Sequence, residues 1–298
     1  MFSIASWYCR INKILSDQGM HMEDTKEIEN IEIRLLLEAI YLKYGYDFRD
    51  YARAHIKRRI RHRLSISGFS SISQMQHRIL YDPEFFRQIL PDFSINVSEI
   101  FRDPSFYLAV RKEVVPFLRT WPFLKIWHAG CASGEEVYSM SIVLKEEGLY
   151  RRCQIYATDF NETIIQKARE GVYSIDLMKG YTYNYQKAGG KGAFSDYYTA
   201  KYDSVIFDNS LKDNIIFADH NLVTDQVFGE MNMVVCRNVL IYFNRELQRR
   251  VIRLFMDSLV PGGFLCLGSK ETLQFSGYAD HFDLVAESEK IYKKKHSP

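Results

Sequence analysis

Apolar residues recur at helical spacing through the first third of the chain. The pattern predicts helices in residues 28–45, 49–63, 71–80 and 82–93. Asp82 precedes Pro83 at the start of the last helix, so we expect Asp82 to be its N-cap. No segment before Phe93 has the alternating pattern of a strand, and this part is therefore predicted to be all-helical.

Beyond Phe93, short apolar segments alternate with amphipathic helices. The predicted strands include FLKIWHA, CQIYATD and MNMVVCRN, each followed by a helix. This alternation predicts βαβ units and a mostly parallel sheet covered by helices. The later segments GFLCLGS and KIYKKK are expected to form an antiparallel hairpin at one edge.

The alternation is interrupted between Tyr173 and Phe217 by a polar, aromatic and Gly-containing segment. Added structure at this end of a parallel sheet often contacts substrate, but a long surface loop with a small β-ribbon explains the pattern equally well. With 298 residues and 47% hydrophobic content, the chain is long enough for two domains. We predict an N-terminal extension (1–30), a helical domain (31–92) and an α/β domain (93–298) that carries the insert (173–217).

Several classes of protein are disfavoured by composition. The five cysteines form no CxxC pair and no Cys/His cluster at metal-ligand spacing, so no metal site is predicted. No apolar stretch approaches the roughly 20 residues that span a bilayer, and no secretory signal is present. We expect a cytoplasmic protein without direct membrane insertion. Met20 and Met22 offer alternative starts, which makes it a hypothesis that residues 1–19 are not native.

Small and acidic residues follow the first two predicted strands of the α/β domain. HAGCASGEE ends the first strand with small residues and then Glu135 and Glu136, while YATDFN ends the second with Asp159. The two glutamates would repel a pyrophosphate at a helix N-terminus, and neither dinucleotide nor P-loop spacing is present. A carboxylate at the second strand end can accept hydrogen bonds from both ribose hydroxyls.

A nucleoside with a positive centre fits these residues, and S-adenosylmethionine is such a molecule. The alternative is that Glu135, Glu136 and Asp159 only cap helices and favour the helix dipole. Any one of them alone would more often be a cap, whereas three at successive strand ends favour a cofactor site.

Five segments together resemble one known family. The chain is similar to the chemotaxis receptor methyltransferases (CheR), which use S-adenosylmethionine to esterify glutamate side chains of bacterial chemoreceptors. The matching segments, in the family's order, are INVSEIFRDP, CASGEEVYS, ATDFN with KAREGVY, CRNVLIYF and PGGFLCLGSKETL. The resemblance covers roughly Ile31 to Tyr292 and implies a Rossmann-like methyltransferase sheet, with S-adenosylhomocysteine as the product.

The resemblance also implies roles for individual residues. Arg102 would lie beside the transferring methyl group and Tyr242 would face the acceptor; Glu136 would hold the amino group of the cofactor and Asp159 its ribose. The implied cofactor-binding residues are Asn96, Ser98, Arg102, Ala132, Glu136, Asp159, Asn221, Leu222 and Asn238. The alternative for Arg102 is a structural ion pair with Asp103, and for Tyr242 it is core packing.

The chain departs from the family pattern at three places. Ser98 replaces the usual Thr but keeps the hydroxyl, Ile100 replaces a common aromatic residue, and GSKE replaces Gly-His-Ser-Glu, which leaves the role of Glu271 open. The ribbon region is short for a loop that binds a receptor tether peptide, so we expect tether-independent recognition.

The net charge of +2 indicates no particular partner, but the distribution of charge along the chain indicates a basic, partner-binding face. Residues 49–63 hold seven Arg/Lys against one Asp, and a helix there has a broad basic face. On the family resemblance this face would contact the acidic methylation helices of a chemoreceptor through Arg53, Lys57, Arg58, Arg59 and Arg61. An ordinary solvated face is the alternative; nucleic acid is disfavoured because aromatic and Gly-containing RNA motifs are missing. We expect a monomer.

Two other functions remain open from the sequence. One is a catalytically silent cofactor-binding module of a signalling array; the other is methyl transfer to a small molecule or to a protein that is not a receptor. The presence of Arg102, Glu136, Asp159 and Tyr242 argues against the first, and the basic helix argues mildly against the second.

Overall fold

The structure, a computed structural model, describes residues 18–93 and 98–296, with side chains from residue 25 onward. The chain divides into two compact units. The first consists of the residues up to Arg49 together with Arg53–Phe93, and the second consists of Asp50–Ala52 and the chain from Ser94 onward.

The first unit is helical. Its helices are α1 (Gln18–Tyr44), α2 (Arg53–Ser67), α3 (Ile72–Tyr81) and α4 (Pro83–Phe93). The Phe85 amide donates to Asp82 Oδ1 over 3.0 Å, which confirms Asp82 as the N-cap of α4. Ile60 of α2, Met75 of α3 and Ile89 of α4 are fully or almost fully buried, so one apolar stripe of each helix faces the core of this unit.

The second unit is built on a seven-stranded sheet in the order β6-β2-β1-β7-β8-β10-β9. The strands are β1 (Leu124–Ala129), β2 (Cys153–Asp159), β6 (Ile215–Asp219), β7 (Met231–Cys236), β8 (Leu259–Leu267), β9 (Phe282–Ala286) and β10 (Ile291–Lys294). The five strands from β6 to β8 are parallel, and β10 is antiparallel to both of its neighbours. Every residue of β7 is buried, as is typical of a central parallel strand covered on both faces.

Helices connect and cover these strands. Helix α5 runs over Pro104–Ala109, continues through a π-helical segment (Val110–Val114) and ends as Val115–Leu118. The others are α6 (Glu135–Glu146), α7 (Glu162–Glu170) and α9 (Arg245–Ser258). The predicted fold class, a Rossmann-like parallel sheet after an all-helical segment, is confirmed. The predicted antiparallel pairing of GFLCLGS (β8) with KIYKKK (β10) is confirmed, but the edge strand is β9, which the sequence pattern did not predict.

The insert after α7 has its own small sheet and a helix. Strands β3 (Val172–Ser174), β4 (Tyr198–Lys201) and β5 (Ser204–Phe207) form an antiparallel sheet in the order β3-β5-β4, and helix α8 is Met178–Lys187. Glu146 at the end of α6 accepts hydrogen bonds from the hydroxyls of Tyr185 and Tyr197. These bonds attach the insert to the main sheet's helical layer.

Two further observations concern the described residues as a whole. No helix within 18–93 and 98–296 is long and apolar enough to cross a membrane. The same ranges contain no cluster of His, Cys, Asp or Glu arranged to hold a metal ion.

Candidate functional site

The loop between β1 and α6 is tightly packed. Gly134 has a φ of +92°, and a Cβ there would lie 2.9 Å from the Cβ of Ala168, while a Cβ on Gly130 would lie 2.7 Å from a Val239 methyl carbon. Ala132 adopts a φ of 48°, which is unusual for a residue with a Cβ. The small residues of this loop are therefore required by packing as well as by any ligand that approaches its backbone.

Asp159 ends β2 directly beside this loop. Its Oδ2 accepts from the Ala132 amide over 3.1 Å, and its Oδ1 accepts from the Asn161 amide over 3.1 Å. The side chain is buried, and burial raises its pKa to about 6 even though these amides favour the carboxylate. The Phe160 amide also bonds to this carboxylate, which still has lone-pair capacity for a further donor such as a ribose hydroxyl.

Glu136 lies in the first turn of α6 and is held by two basic side chains. Arg237 Nη1 donates to Glu136 Oε2 over 2.9 Å, and His128 Nδ1 lies 3.3 Å from Oε1. Burial opposes ionisation most strongly, but the hydrogen bond from His128 and the charge of Arg237 outweigh it and lower the pKa of Glu136. Glu136, whose side chain is 18% exposed, is therefore an ionised acceptor in a half-buried setting.

Arg237, which the sequence reasoning did not single out, connects the parts of the site. Its Nη2 donates to Asp103 Oδ2 over 2.7 Å, its Nη1 also contacts the Arg102 carbonyl oxygen over 3.4 Å, and its guanidinium lies 4.0 Å from the centre of the Phe106 ring. Asp103 thus pairs with Arg237. A signal was present in the sequence, because a charged residue directly after the mostly apolar run of β7 needs a partner.

Glu135 has a different environment from its neighbour. The Ser133 hydroxyl donates to the Glu135 carboxylate, and burial raises the pKa of this carboxyl. Glu135 therefore has a local hydrogen-bond partner, and only Glu136 joins the cluster with Arg237.

The segment that precedes α5 has a strained backbone. Phe101 and Asp103 both adopt positive φ, 53° and 56°, with Arg102 between them. The Phe101 amide donates to Ser139 Oγ over 2.8 Å, and Ile100 is fully buried. Such backbone strain is typical of functional sites when the surrounding structure enforces it. Ser98 is partly exposed, and Asn96 lies outside the described residues.

The turn after β7 carries Asn238 and Tyr242. Asn238 adopts a φ of 61°, and Tyr242 ends the 3-10 turn Leu240–Tyr242. The buried carboxylate of Glu271 accepts from the amides of Asn238 (3.1 Å) and Ile241 (3.3 Å). Glu271 therefore holds the turn that presents Asn238 and Tyr242, which answers the question that its altered motif leaves open.

Asn221 and Leu222 follow the end of β6, which pairs with β2 in register from Ile155 to Asp159. The His220 amide donates to the Asp159 carbonyl oxygen over 3.1 Å, so this turn adjoins the Asp159 strand end. Leu222 is buried, and Asn221 Oδ1 accepts from the Val223 amide over 3.0 Å. Adjacent strands thus bring Asn221, Asp159, Ala132 and Asn238 to one edge of the sheet.

The predicted partner-binding residues all lie on α2, in the helical unit. Lys57 and Arg61 form ion pairs with Glu29, and Arg59 donates to the Asp92 carbonyl oxygen. Arg53 and Arg58 are exposed. Part of the basic charge of α2 is therefore used within its own unit, and the partner-binding role of this helix stays a prediction.

The donor set at the sheet edge matches a cationic nucleoside. Ionised Glu136 complements an ammonium group, Asp159 complements a ribose diol, and the apolar Leu222 is available beside a base. A pyrophosphate would meet two carboxylates here. The residues present therefore fit S-adenosylmethionine.

Comparison with known proteins assigns the chain to a family. Residues 96–291 match the model described as CheR methyltransferase, SAM binding domain, and residues 31–94 match the model described as CheR methyltransferase, all-alpha domain. A Pseudomonas putida protein provisionally named methyltransferase Cher3 is 55% identical over 265 residues, 89% of this chain and 97% of that protein. The chemotaxis protein methyltransferase of Listeria innocua is 30% identical, over 77% of this chain and 85% of that protein. Chemotaxis protein methyltransferase 1 of Pseudomonas aeruginosa is 29% identical, over 73% of this chain and 81% of that protein. The chain therefore belongs to the CheR family of S-adenosylmethionine-dependent methyltransferases.

Proposed function

We propose that this protein transfers the methyl group of S-adenosylmethionine to glutamate side chains of a chemoreceptor and forms methyl esters that serve chemosensory adaptation. The observation that carries the proposal is the ionised, half-buried Glu136 between Arg237 and His128, which follows β1, the strand paired with the one that ends at Asp159. Relatives named chemotaxis protein methyltransferases support the choice of acceptor.

In this proposal the residues at each strand end bind a different part of the cofactor. Glu136 binds its amino group, Asp159 its ribose, and the Asn221–Leu222 turn its adenine. Ala132 approaches it through the backbone, and Asn238 lines the pocket. Ser98 and Arg102 close over it from the segment before α5.

The proposed reaction needs no general base. A glutamate carboxylate has an ordinary pKa of about 4.3 and is already ionised at neutral pH. When bound, the cofactor supplies an electrophilic methyl group on a sulfonium centre. The task of the protein is to align the carboxylate oxygen with the methyl carbon, and alignment alone can provide a large effective molarity. Arg102 and Tyr242 position the carboxylate and transfer no proton.

Arg102 must hold its carboxylate loosely for this chemistry. A tight bidentate pair would stabilise the ground state and weaken the nucleophile. The backbone of Arg102 is constrained on both sides by residues with positive φ, and its carbonyl oxygen contacts Arg237. This constraint supports a fixed backbone from which the guanidinium reaches the acceptor.

We further propose that the exposed basic residues of α2 attract the acidic methylation helices of the receptor. Arg53 and Arg58 are exposed, whereas Lys57 and Arg61 share Glu29. Charge of complementary sign raises the encounter rate and fixes the register more than it raises affinity.

Reversing the charge at Arg58 tests this role. Arg58→Glu should slow methylation of receptor fragments by about 3- to 10-fold at low salt, and the effect should shrink at high salt because exposed charges are screened. Arg87→Glu is the matched control, since Arg87 is also an exposed arginine on a helix of the same unit. The two variants are compared by initial rates and by the binding of S-adenosylhomocysteine. Equal rates for Arg58→Glu and the unchanged protein would remove α2 from the receptor contact.

The two other candidate functions are separated by one experiment. The protein is incubated with methyl-labelled S-adenosylmethionine and receptor cytoplasmic fragments, and base-labile label is counted. Base-labile label on a fragment supports the proposal. Label on another acceptor indicates a different methyltransferase substrate, and tight cofactor binding without label on any acceptor indicates a silent module. Addition of a tether peptide should leave the rate unchanged if recognition is tether-independent.

A further inference from the structure

A histidine lies inside the parallel sheet beneath the site. His128, in β1, is 1% exposed and is paired in register with Ala157 of β2 on one side and Val235 of β7 on the other. Such central positions are ordinarily apolar, because a buried polar ring without adequate partners costs free energy. The proposed binding roles in this site do not use His128.

The partners of this ring are unequal. Nδ1 lies 3.3 Å from Glu136 Oε1, whereas Nε2 is buried and has no hydrogen-bond partner among the described residues. An ionised carboxylate only accepts hydrogen bonds, so the contact requires the proton on Nδ1. The ring thus forms one bond, to Glu136, and leaves its other nitrogen unsatisfied.

The second basic partner of Glu136 approaches from a different direction. Arg237 donates to Oε2 and also binds Asp103 and the Arg102 carbonyl oxygen. A guanidinium favours bidentate pairing with a carboxylate. Without a donor at Oε1, Glu136 would be free to rotate so that both of its oxygens face Arg237, and fewer lone pairs would remain for a ligand.

We propose that His128 is a positioning residue, which holds Glu136 Oε1 away from Arg237 so that the carboxylate can receive the ammonium group of the cofactor. The inference rests on the proposed role of Glu136 in the cofactor site. It does not depend on the identity of the methyl acceptor.

Two ligands distinguish positioning from general support of the fold. S-adenosylhomocysteine carries the amino acid end, and methylthioadenosine lacks it. We expect His128→Leu to raise the Kd for S-adenosylhomocysteine by about 10-fold, the size of a lost charged hydrogen bond, and to change the Kd for methylthioadenosine by less than about twofold. His128→Asn should restore the affinity to within about threefold, because its amide can place a donor close to the Nδ1 position. Both values are measured by titration calorimetry on the full chain.

Two outcomes would contradict the positioning role of His128. Equal weakening of both ligands in His128→Leu, or failure of His128→Asn to restore the preference, would show a merely structural histidine and overturn the inference. If His128→Leu does not fold, His128→Phe keeps a ring without a donor and replaces it. Glu136→Gln separates the binding role of Glu136 from the positioning role of His128. If Glu136→Gln leaves the preference for S-adenosylhomocysteine over methylthioadenosine intact, the binding role of Glu136 fails. If Glu136→Gln removes this preference but His128→Leu does not, only the positioning role of His128 is overturned.

Discussion

Replacement of Arg237 by methionine is expected to lower the free energy of unfolding by about 3–5 kcal/mol. Arg237 is 7% exposed and pairs with Glu136 over 2.9 Å and with Asp103 over 2.7 Å. Methionine preserves much of the volume beside Phe106 but leaves the half-buried carboxylate of Glu136 without the buried cation that pairs with it. Removal of one partner from a buried pair costs more than the pair contributes, because the other charge stays desolvated. Equilibrium unfolding in urea measures the change.

A surface arginine provides the control for this variant. Arg253 on α9 faces Asp257 over 3.6 Å with its side chain 67% exposed, so Arg253→Met should change the free energy of unfolding by less than about 1 kcal/mol. Addition of Glu136→Gln to Arg237→Met should recover part of the loss, because the uncompensated charge is removed. A loss below about 1 kcal/mol for Arg237→Met would contradict the assignment of Arg237 as the central cation of the site.

Cofactor affinity is expected to fall as the pH drops through about 6. Burial raises the pKa of Asp159 to about 6, and only its ionised form accepts hydrogen bonds from both ribose hydroxyls. The Kd for S-adenosylhomocysteine should therefore be constant above about pH 7 and should rise by up to about tenfold for each pH unit below 6. Glu136, whose pKa is lowered, stays ionised in this range.

The sign of the linkage separates this effect from acid unfolding. The pKa of Asp159 is higher in the folded protein than its unfolded value of about 3.9, so the folded state binds the proton more tightly. The contribution of Asp159 to stability therefore increases as the pH falls from about 7 towards 4. Loss of affinity in this window reflects protonation of the binding site, and thermal melts at each pH verify that the chain remains folded.

Two aspartates at neighbouring strand ends form a matched pair for this test. Asp159→Asn should weaken S-adenosylhomocysteine binding by about 10- to 100-fold and flatten its pH dependence, because a carboxamide has one acceptor oxygen and does not titrate. Asp219, which pairs in register with Asp159 but is exposed, should tolerate the same change with an unaltered pH profile. A constant Kd between pH 5 and pH 7 in the unchanged protein would refute the ribose-binding role of Asp159.

The strand-end residues could be predicted because the carboxyl ends of parallel strands lie at the same edge of a sheet. Each βα unit repeats an apolar strand, a turn and an amphipathic helix, so Ala132 and Asp159 were expected at one edge, and the family resemblance added Asn238. The structure places these residues at the ends of β1, β2 and β7, which are neighbours in the sheet. Periodicity therefore predicted the sheet and the positions of Ala132 and Asp159, whereas Asn238 was expected from the family resemblance.

Arg237 could not be assigned from local pattern, because its partners are distant in sequence. Glu136 is 101 residues away and Asp103 is 134 residues away, and only the folded chain brings the three together. The positive φ of Phe101 was equally hidden, since an aromatic side chain does not favour it, whereas Asp103 and Asn238 are residue types that adopt positive φ more often.

Short elements near the insert were also missed. Strand β6 (Ile215–Asp219) is five residues long and follows a polar segment, so its apolar run resembled the end of the insert. The basic helix shows a different limit: charge counting found seven cations, but it could not show that Glu29 and Asp92 of the same unit pair with several of them.

Methyl transfer to receptor glutamates is tested most directly by locating the transferred methyl group. The protein and S-adenosylmethionine are incubated with purified cytoplasmic fragments of the chemoreceptors encoded by the same genome, and the fragments are sequenced by tandem mass spectrometry, with Asp159→Asn as the parallel control. We expect a mass gain of one CH2 group on glutamates of the receptor helices, removable by mild base and strongly reduced in the control. Unmodified glutamates in every fragment, from a protein that binds S-adenosylhomocysteine tightly, would contradict this expectation.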